Sequence, residues 1–192
     1  MTMRPPTATD AALVERLRSG DRGAFRDLYG QFSQPTFGFL LRLAGRRDVA
    51  EDLHQEVWLS IARHATRLAP ETDLAAWIFT VARNRFRSSG RRWHPAAVVT
   101  AEPALERQVA TAPAADDPGC RDLERAVASL PEVHREVLLL MAIEGLDAAR
   151  AAAVLGIRPE AARQRLARAR AALGDAVADQ VRPFPAGKRL TS

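Results

Sequence analysis

Between Leu155 and Leu173 the sequence LGIRPEAARQRLARARAAL carries five arginines and a single acid, Glu160. On a helix, Ala162, Leu166, Ala169 and Leu173 recur at four, three and four residues and form one apolar stripe. Arg163, Gln164, Arg165, Arg168 and Arg170 then face away from it. A guanidinium is always charged and forks onto phosphate oxygens or the edge of guanine, so this face suits duplex DNA. The competing reading is a solvated face, but such a face normally mixes charge signs, and here no acid beyond Glu160 stands in reach.

A second cluster, VARNRFRSSGRRW, places Arg83, Arg85, Arg87, Arg91 and Arg92 among Phe86 and Trp93 with no acid. Arginines can follow a nucleic-acid backbone while aromatic rings stack on unpaired bases, which suits single-stranded DNA. Trp77 and Phe79, just upstream, sit in an amphipathic stretch and are assigned to the core. The segment AEDLHQEVWLS has the opposite character: with Leu53 and Val57 turned inward, Asp52, Gln55, Glu56 and Leu59 form an acidic face with an exposed apolar residue. Its default role is solvation, and its sharper role is docking on a basic protein partner.

The elements that must present these faces are all helical. Apolar residues recur at helical spacing in block after block, and no alternating run suggests a strand. Asp10, Asp21, Asp48 and Asp73 are expected to start four helices, forming one bundle over residues 1–93. Residues 94–119, rich in Ala and Pro, read as a flexible linker. Residues 120–174 form a second, smaller bundle in which Pro131 opens one helix. There Asp147 caps a short helix, Gly156 turns the chain and Pro159 opens the arginine helix. This is the pattern of a helix-turn-helix. Residues 175–192 are expected to be a polar tail.

Composition narrows the function. The chain has 28 Lys+Arg against 23 Asp+Glu, a formal charge of +5, and every basic residue except Lys188 is arginine. A genome that favours arginine codons would give the same global bias, so only the local clusters are informative. The one cysteine, Cys120, excludes an internal disulfide framework and a thiolate zinc site. The N-terminus has no signal-peptide core, and VLLLMAI is too short to cross a bilayer, so the chain is expected to be cytoplasmic. His54, His64, His94 and His134 are scattered without catalytic partners or a phosphate loop, so no enzyme activity, metal or cofactor is expected.

These motifs together resemble the bacterial sigma factors of the extracytoplasmic-function (ECF) group. AEDLHQEVWLSIAR is similar to that family's core-polymerase docking helix, and WIFTVARNRFRSSGRR to its promoter-melting, −10-binding helix. LPEVHREVLLLMAIEGL with the helix-turn-helix is similar to its −35-binding domain. The likeness spans roughly Asp10 to Trp93 and Leu123 to Leu173. It implies an all-α protein of two bundles on a flexible linker that binds core RNA polymerase and directs it to promoter DNA. Asp52, Gln55, Glu56 and Leu59 would dock on the polymerase. Thr72 and Asp73, in the loop before the melting helix, with Arg83, Asn84, Arg87 and Arg91, would bind the −10 strand. Arg163, Gln164, Arg165, Arg168 and Arg170 would grip the −35 element. Members of the group are commonly held by an anti-sigma factor, although nothing in this sequence identifies one.

The chain departs from the family in its helix-turn-helix. Ala148 stands where an aromatic is usual, Arg150 where Glu is, Ala151 where a larger aliphatic is, and Ala161-Ala162 replace Thr-Val. TDLAAW lacks the usual cation before Trp77. Two other readings stay open at this level: a helix-turn-helix repressor with a ligand-binding bundle, and a sigma-like decoy that binds polymerase but barely binds DNA.

Overall fold

The computed structural model describes residues 8–93 and 118–181, and their secondary structure is helical throughout with no strand among them. The first group comprises α1 (Ala8–Arg18), α2 (Arg22–Ala44), α3 (Arg47–His64), a 3-10 turn at Ala65–Arg67 and α4 (Leu74–Trp93). The second comprises α5 (Pro118–Ser129), α6 (Glu132–Leu138), α7 (Ala148–Leu155) and α8 (Pro159–Val181). Past Leu138, α6 widens into a π turn over Leu139–Ile143. The expected linker lies, for residues 94–117, outside the described residues.

Three helix starts follow from short side chains satisfying the free amides that open a helix. Asp21 accepts from the Gly23 amide at 2.7 Å, Asp73 from Ala76 at 3.0 Å, and Asp147 from both Ala149 and Arg150 at 2.9 Å. Two expected caps differ. Asp10 lies inside the first turn of α1, and α3 starts two residues earlier than expected, with Arg46 in the extended cap position and Asp48 already helical. Asp48 is instead held by the Arg46 guanidinium. A carboxylate inside the first turn still complements the helix dipole, so the sequence signal was real but displaced.

The interior of the first group is built on α2, α3 and α4. Phe39 and Phe79 meet edge-to-face at 5.3 Å, and Leu28, Leu40, Val57, Ile61 and Ile78 are fully buried around them. Each such side chain contributes ~1.5–3 kcal/mol of hydrophobic stabilisation. In the second group Val137, Leu139, Leu140, Ala151, Ala162 and Ala169 close the interior, with the stripe on α8 turned inward as expected. Residues 175–181, read from sequence as tail, continue α8 through Gly174. The alanines that follow favour the helix enough to carry it past a glycine costing ~1 kcal/mol.

The two groups do not stand apart. Their buried residues form one continuous apolar cluster, with α4 packed against α7 and α2 against α6. Five of the eight residues of α7 are alanine, so its backbone can approach its neighbours closely. The short side chains at Ala148 and Ala151, unusual for the resemblance, are both buried there.

Candidate nucleic-acid interface

The helix-turn-helix forms as the sequence suggests. Gly156 takes φ +67°, a left-handed conformation in which an L side chain is strained. Its amide and that of Ile157 both reach the Ala152 carbonyl, ending α7 tightly. Pro159 then opens α8, where its missing N–H costs nothing. On α8, Arg163, Gln164, Arg168 and Arg170 are exposed and Arg165 is half-buried. Arg163 pairs with Glu160 at 3.3 Å, and both side chains remain largely in water. Among the described residues no acid engages Arg165, Arg168 or Arg170. Four positive side chains on one side of a second helix form a ready phosphate-binding surface.

The basic face of α4 is arranged differently. Arg83 is buried, its Nε donating to Glu136 Oε1 at 2.9 Å and a terminal nitrogen to the Val154 carbonyl at 3.4 Å. Arg87, half-exposed, places Nε 3.4 Å from both Glu132 Oε1 and Glu136 Oε1. Arg85 lies 3.7 Å from Glu56, and Asn84 is exposed. The side chain of Arg91 lies outside the described residues. In the loop ahead of α4, the Thr72 hydroxyl donates to the Ala69 carbonyl at 2.7 Å. Asp73 receives both Nε and a terminal nitrogen of Arg150, at 2.6 and 2.7 Å. Burial pushes the Asp73 carboxyl up, but the Arg150 guanidinium and the Ala76 amide outweigh it and hold the group below its ordinary value. Of the residues assigned from sequence to the −10 strand, Arg83 and Asp73 are engaged by the second group, Arg87 lies at its edge and Asn84 stays exposed.

Between α3, the 3-10 turn and α4 lies an open pocket of about 370 Å³ lined by Ser60, His64, Arg67, Leu68, Trp77 and Val81. Trp77 is half-buried at its wall while Phe79 is fully buried, so only the latter is wholly a core residue.

On α3, Asp52, Gln55 and Glu56 are exposed and Leu59 is half-exposed on the same side. Beside them runs a groove of about 420 Å³ that includes Phe25, Tyr29, Phe37, His54 and Trp58. Tyr29 meets Trp58 edge-on at 4.7 Å and is still 45 % exposed. The Trp58 indole donates to His54 Nε2 at 2.8 Å, and burial lowers the His54 pKa, which favours the neutral ring able to accept that bond. These aromatics belong to the acidic face but were not named from sequence. The signal was present in Phe25 and Tyr29, which stand four residues apart on α2 and so share one side of it. No group of His, Cys, Asp and Glu able to hold a metal occurs among the described residues.

Comparison with known proteins agrees with this layout. Residues 28–93 match the family described as Sigma-70 region 2, and residues 120–173 match Sigma-70, region 4. The chain is 33 % identical over 153 residues to RNA polymerase sigma factor CarQ of Myxococcus xanthus, covering 79 % of this chain and 88 % of that one. It is 30 % identical over 175 residues to the ECF RNA polymerase sigma-E factor of Haemophilus influenzae, covering 84 % and 92 %. Among solved structures, CnrH in complex with the cytosolic domain of CnrY has the same fold, with a TM-score of 0.68 at 22 % identity over 90 % of this chain and 99 % of that one. Neither rival reading finds support: a repressor leaves the acidic face and the basic face of α4 without a task, and a decoy leaves both arginine faces without one. The chain belongs to the bacterial RNA polymerase sigma factors of the ECF group, transcription initiation factors that bind core polymerase and direct it to promoter DNA.

Proposed function

We propose that this sigma factor divides its work among the three faces described. Asp52, Gln55, Glu56 and Leu59 dock on core polymerase, with the Tyr29–Trp58 groove receiving an apolar side chain of the same partner. Asn84, Arg83, Arg87 and Arg91, with Thr72 and Asp73, take the −10 strand as it melts. Arg163, Gln164, Arg165, Arg168 and Arg170 hold the −35 duplex. The observation that carries this reading is the segregation of charge: one acidic-apolar face and two arginine faces of opposite pairing state occupy separate helices. Binding energy does the melting, and the chain itself supplies no catalytic group.

Coupled docking explains why weak DNA contacts suffice. Polymerase fixes the two DNA-reading surfaces relative to each other, so the second contact forms at an effective concentration that reaches roughly the millimolar range when the spacing fits. The site of action is cytoplasmic, where the polymerase is. The described residues contain no helix long and apolar enough to cross a membrane. Structures with this fold pair CnrH with the cytosolic domain of CnrY and the sigma factor RpoE of Bartonella quintana with the anti-sigma factor NepR, and a protein partner of that kind is expected for this chain.

Run-off transcription with purified core polymerase on a library of promoter fragments tests the reading. Specific transcripts are expected with the wild-type chain and are expected to disappear with Gln55→Ala/Glu56→Ala. Tight promoter binding with no dependence on polymerase would overturn it in favour of a repressor.

A further inference from the structure

The α4 arginines that are unpaired along the sequence are paired across the fold, and by residues of the other helical group. Two ionic contacts of opposite polarity make the junction. In one, Arg83 and Arg87 of α4 reach Glu136, with Glu132 at its edge. In the other, Arg150 of α7 grips Asp73 in the loop before α4 with two short hydrogen bonds. Arg83 and Arg150 each have side chains only 10 % exposed, and Glu136 is fully buried.

This junction is selective in what it covers. Asp52, Gln55, Glu56 and Leu59 stay exposed, as do Arg163, Gln164, Arg168 and Arg170. What the junction engages instead is part of the group assigned to the melted strand: Arg83, Asp73 and one edge of Arg87, with Asn84 left exposed. The junction is also built to give way. Glu136 is buried yet its Oε2 has no hydrogen-bond partner, a cost that separating the groups would remove by returning the carboxylate to water. Phosphates of a DNA strand offer Arg83 and Arg87 the same charge as the carboxylates they would leave, and a second acceptor oxygen for the paired donors that Glu136 engages through Oε1 alone.

We propose that this chain closes on itself through an ionic clasp, Arg83/Arg87 to Glu136 and Arg150 to Asp73, which occupies the −10-binding arginines until the two helical groups separate. The clasp rests on the reading of α4 as the −10 face for its consequence, though not for its existence. Glu136 acts as an internal phosphate mimic. Polymerase can dock on the uncovered α3 face of the closed form, and melted DNA then competes for the arginines. Arg150, which departs from the family's usual Glu, is the residue that adds the second point of closure in this chain.

The test uses the full chain with Cys120→Ser and nitroxide labels at Thr66→Cys and Ala153→Cys, both exposed and outside every face named above. Pulsed dipolar spectroscopy is expected to give one narrow distance at low salt. In 1 M salt, in Glu136→Gln and in Arg150→Ala, that distance should lengthen and broaden, with Arg150→Lys intermediate. A second label pair at Arg26→Cys and Thr66→Cys, within the first group, reports intact folding and should not change. If the closed form outnumbers the open one by about tenfold, each opening variant binds a pool of short random-sequence single-stranded DNA about tenfold more tightly, because apparent affinity scales with the competent fraction. A broad wild-type distance that salt and the variants leave unchanged overturns the clasp. Opening with no gain in single-strand binding keeps the clasp and overturns the −10 assignment.

Discussion

Helices α4 and α8 carry similar sequences of arginine and small or apolar residues, and neither has an acid among its arginines. In the fold they diverge. The α8 arginines face solvent with one exposed pairing to Glu160, whereas α4 sends Arg83 into a buried bond with Glu136 and leaves Arg87 beside the same carboxylate. Charge counted along one helix sees only partners three or four residues away, and the partner of Arg83 lies 53 residues on. An arginine face without local acids is therefore a statement about opportunity. Whether it stays open is decided by what packs on it.

The sharpest way to break this comparison is to replace one arginine on each helix with methionine. Arg83→Met strands the Glu136 carboxylate in a buried site, a loss of ~3–5 kcal/mol when one member of such a pair is removed. Urea unfolding is expected to change from one transition into two as the helical groups separate. Arg83→Met/Glu136→Met should restore a single transition, since both charges leave together. Arg168→Met should shift the curve by no more than ~0.5 kcal/mol, as surface changes do. Identical behaviour of the two single variants would erase the distinction between the helices.

Glu144 sharpens the comparison from the other side, as a buried carboxylate with no arginine bonded to it. Burial pushes its pKa up to about 7, opposed only in part by the charge of Arg42 on α2. The native state then holds a proton that the unfolded state has released, so stability falls as pH rises from the ordinary carboxyl value through about 7. Glu144→Gln removes that dependence. It should leave stability at pH 5 nearly unchanged and raise it at pH 8 by ~1–3 kcal/mol, read from urea melts at the two pH values. A variant destabilised equally at both would show that the carboxyl makes a specific contact in either protonation state.

Much of this was legible in the residues. Asp21, Asp73 and Asp147 announce helix starts and Gly156 the turn, because caps and left-handed positions depend on chemistry within four residues of the chain. The apolar stripe of α8 and the placement of Arg163 to Arg170 opposite it follow from period alone. The start of α3 was misplaced because Asp48 is equally at home as a cap or inside the first turn. The widening of α6 at Leu139–Ile143 was not legible: a run of apolar residues is compatible with either hydrogen-bond register, and the choice falls to packing. The clasp was not legible either. Arg150 and Asp73 are 77 residues apart, and the only trace of their pairing was that Arg150 stands where the resemblance favours an acid.

On α8 itself, duplex binding provides a smaller effect. Arg168→Ala should weaken binding of promoter duplex by the holoenzyme and lower the slope of log K against log salt by about 0.9, the share of one phosphate. A change in affinity with an unchanged slope would place Arg168 on a base edge instead.

The smallest expected effect tests whether the α8 face is open as drawn. Glu160 is its one acid, 3.3 Å from Arg163, and both side chains lie mostly in water. Such a pair contributes little, so Glu160→Gln should alter stability by at most ~0.5 kcal/mol, including the loss of a favourable charge near the helix start. Its effect on DNA runs the other way: removing a negative charge beside Arg163 relieves repulsion from phosphate, and duplex affinity at low salt should rise by a few-fold and converge with wild type as salt screens the difference. Weaker binding in Glu160→Gln would mean that the carboxylate orients Arg163 toward DNA. In that case even the open helix holds one arginine by the device that α4 uses for two.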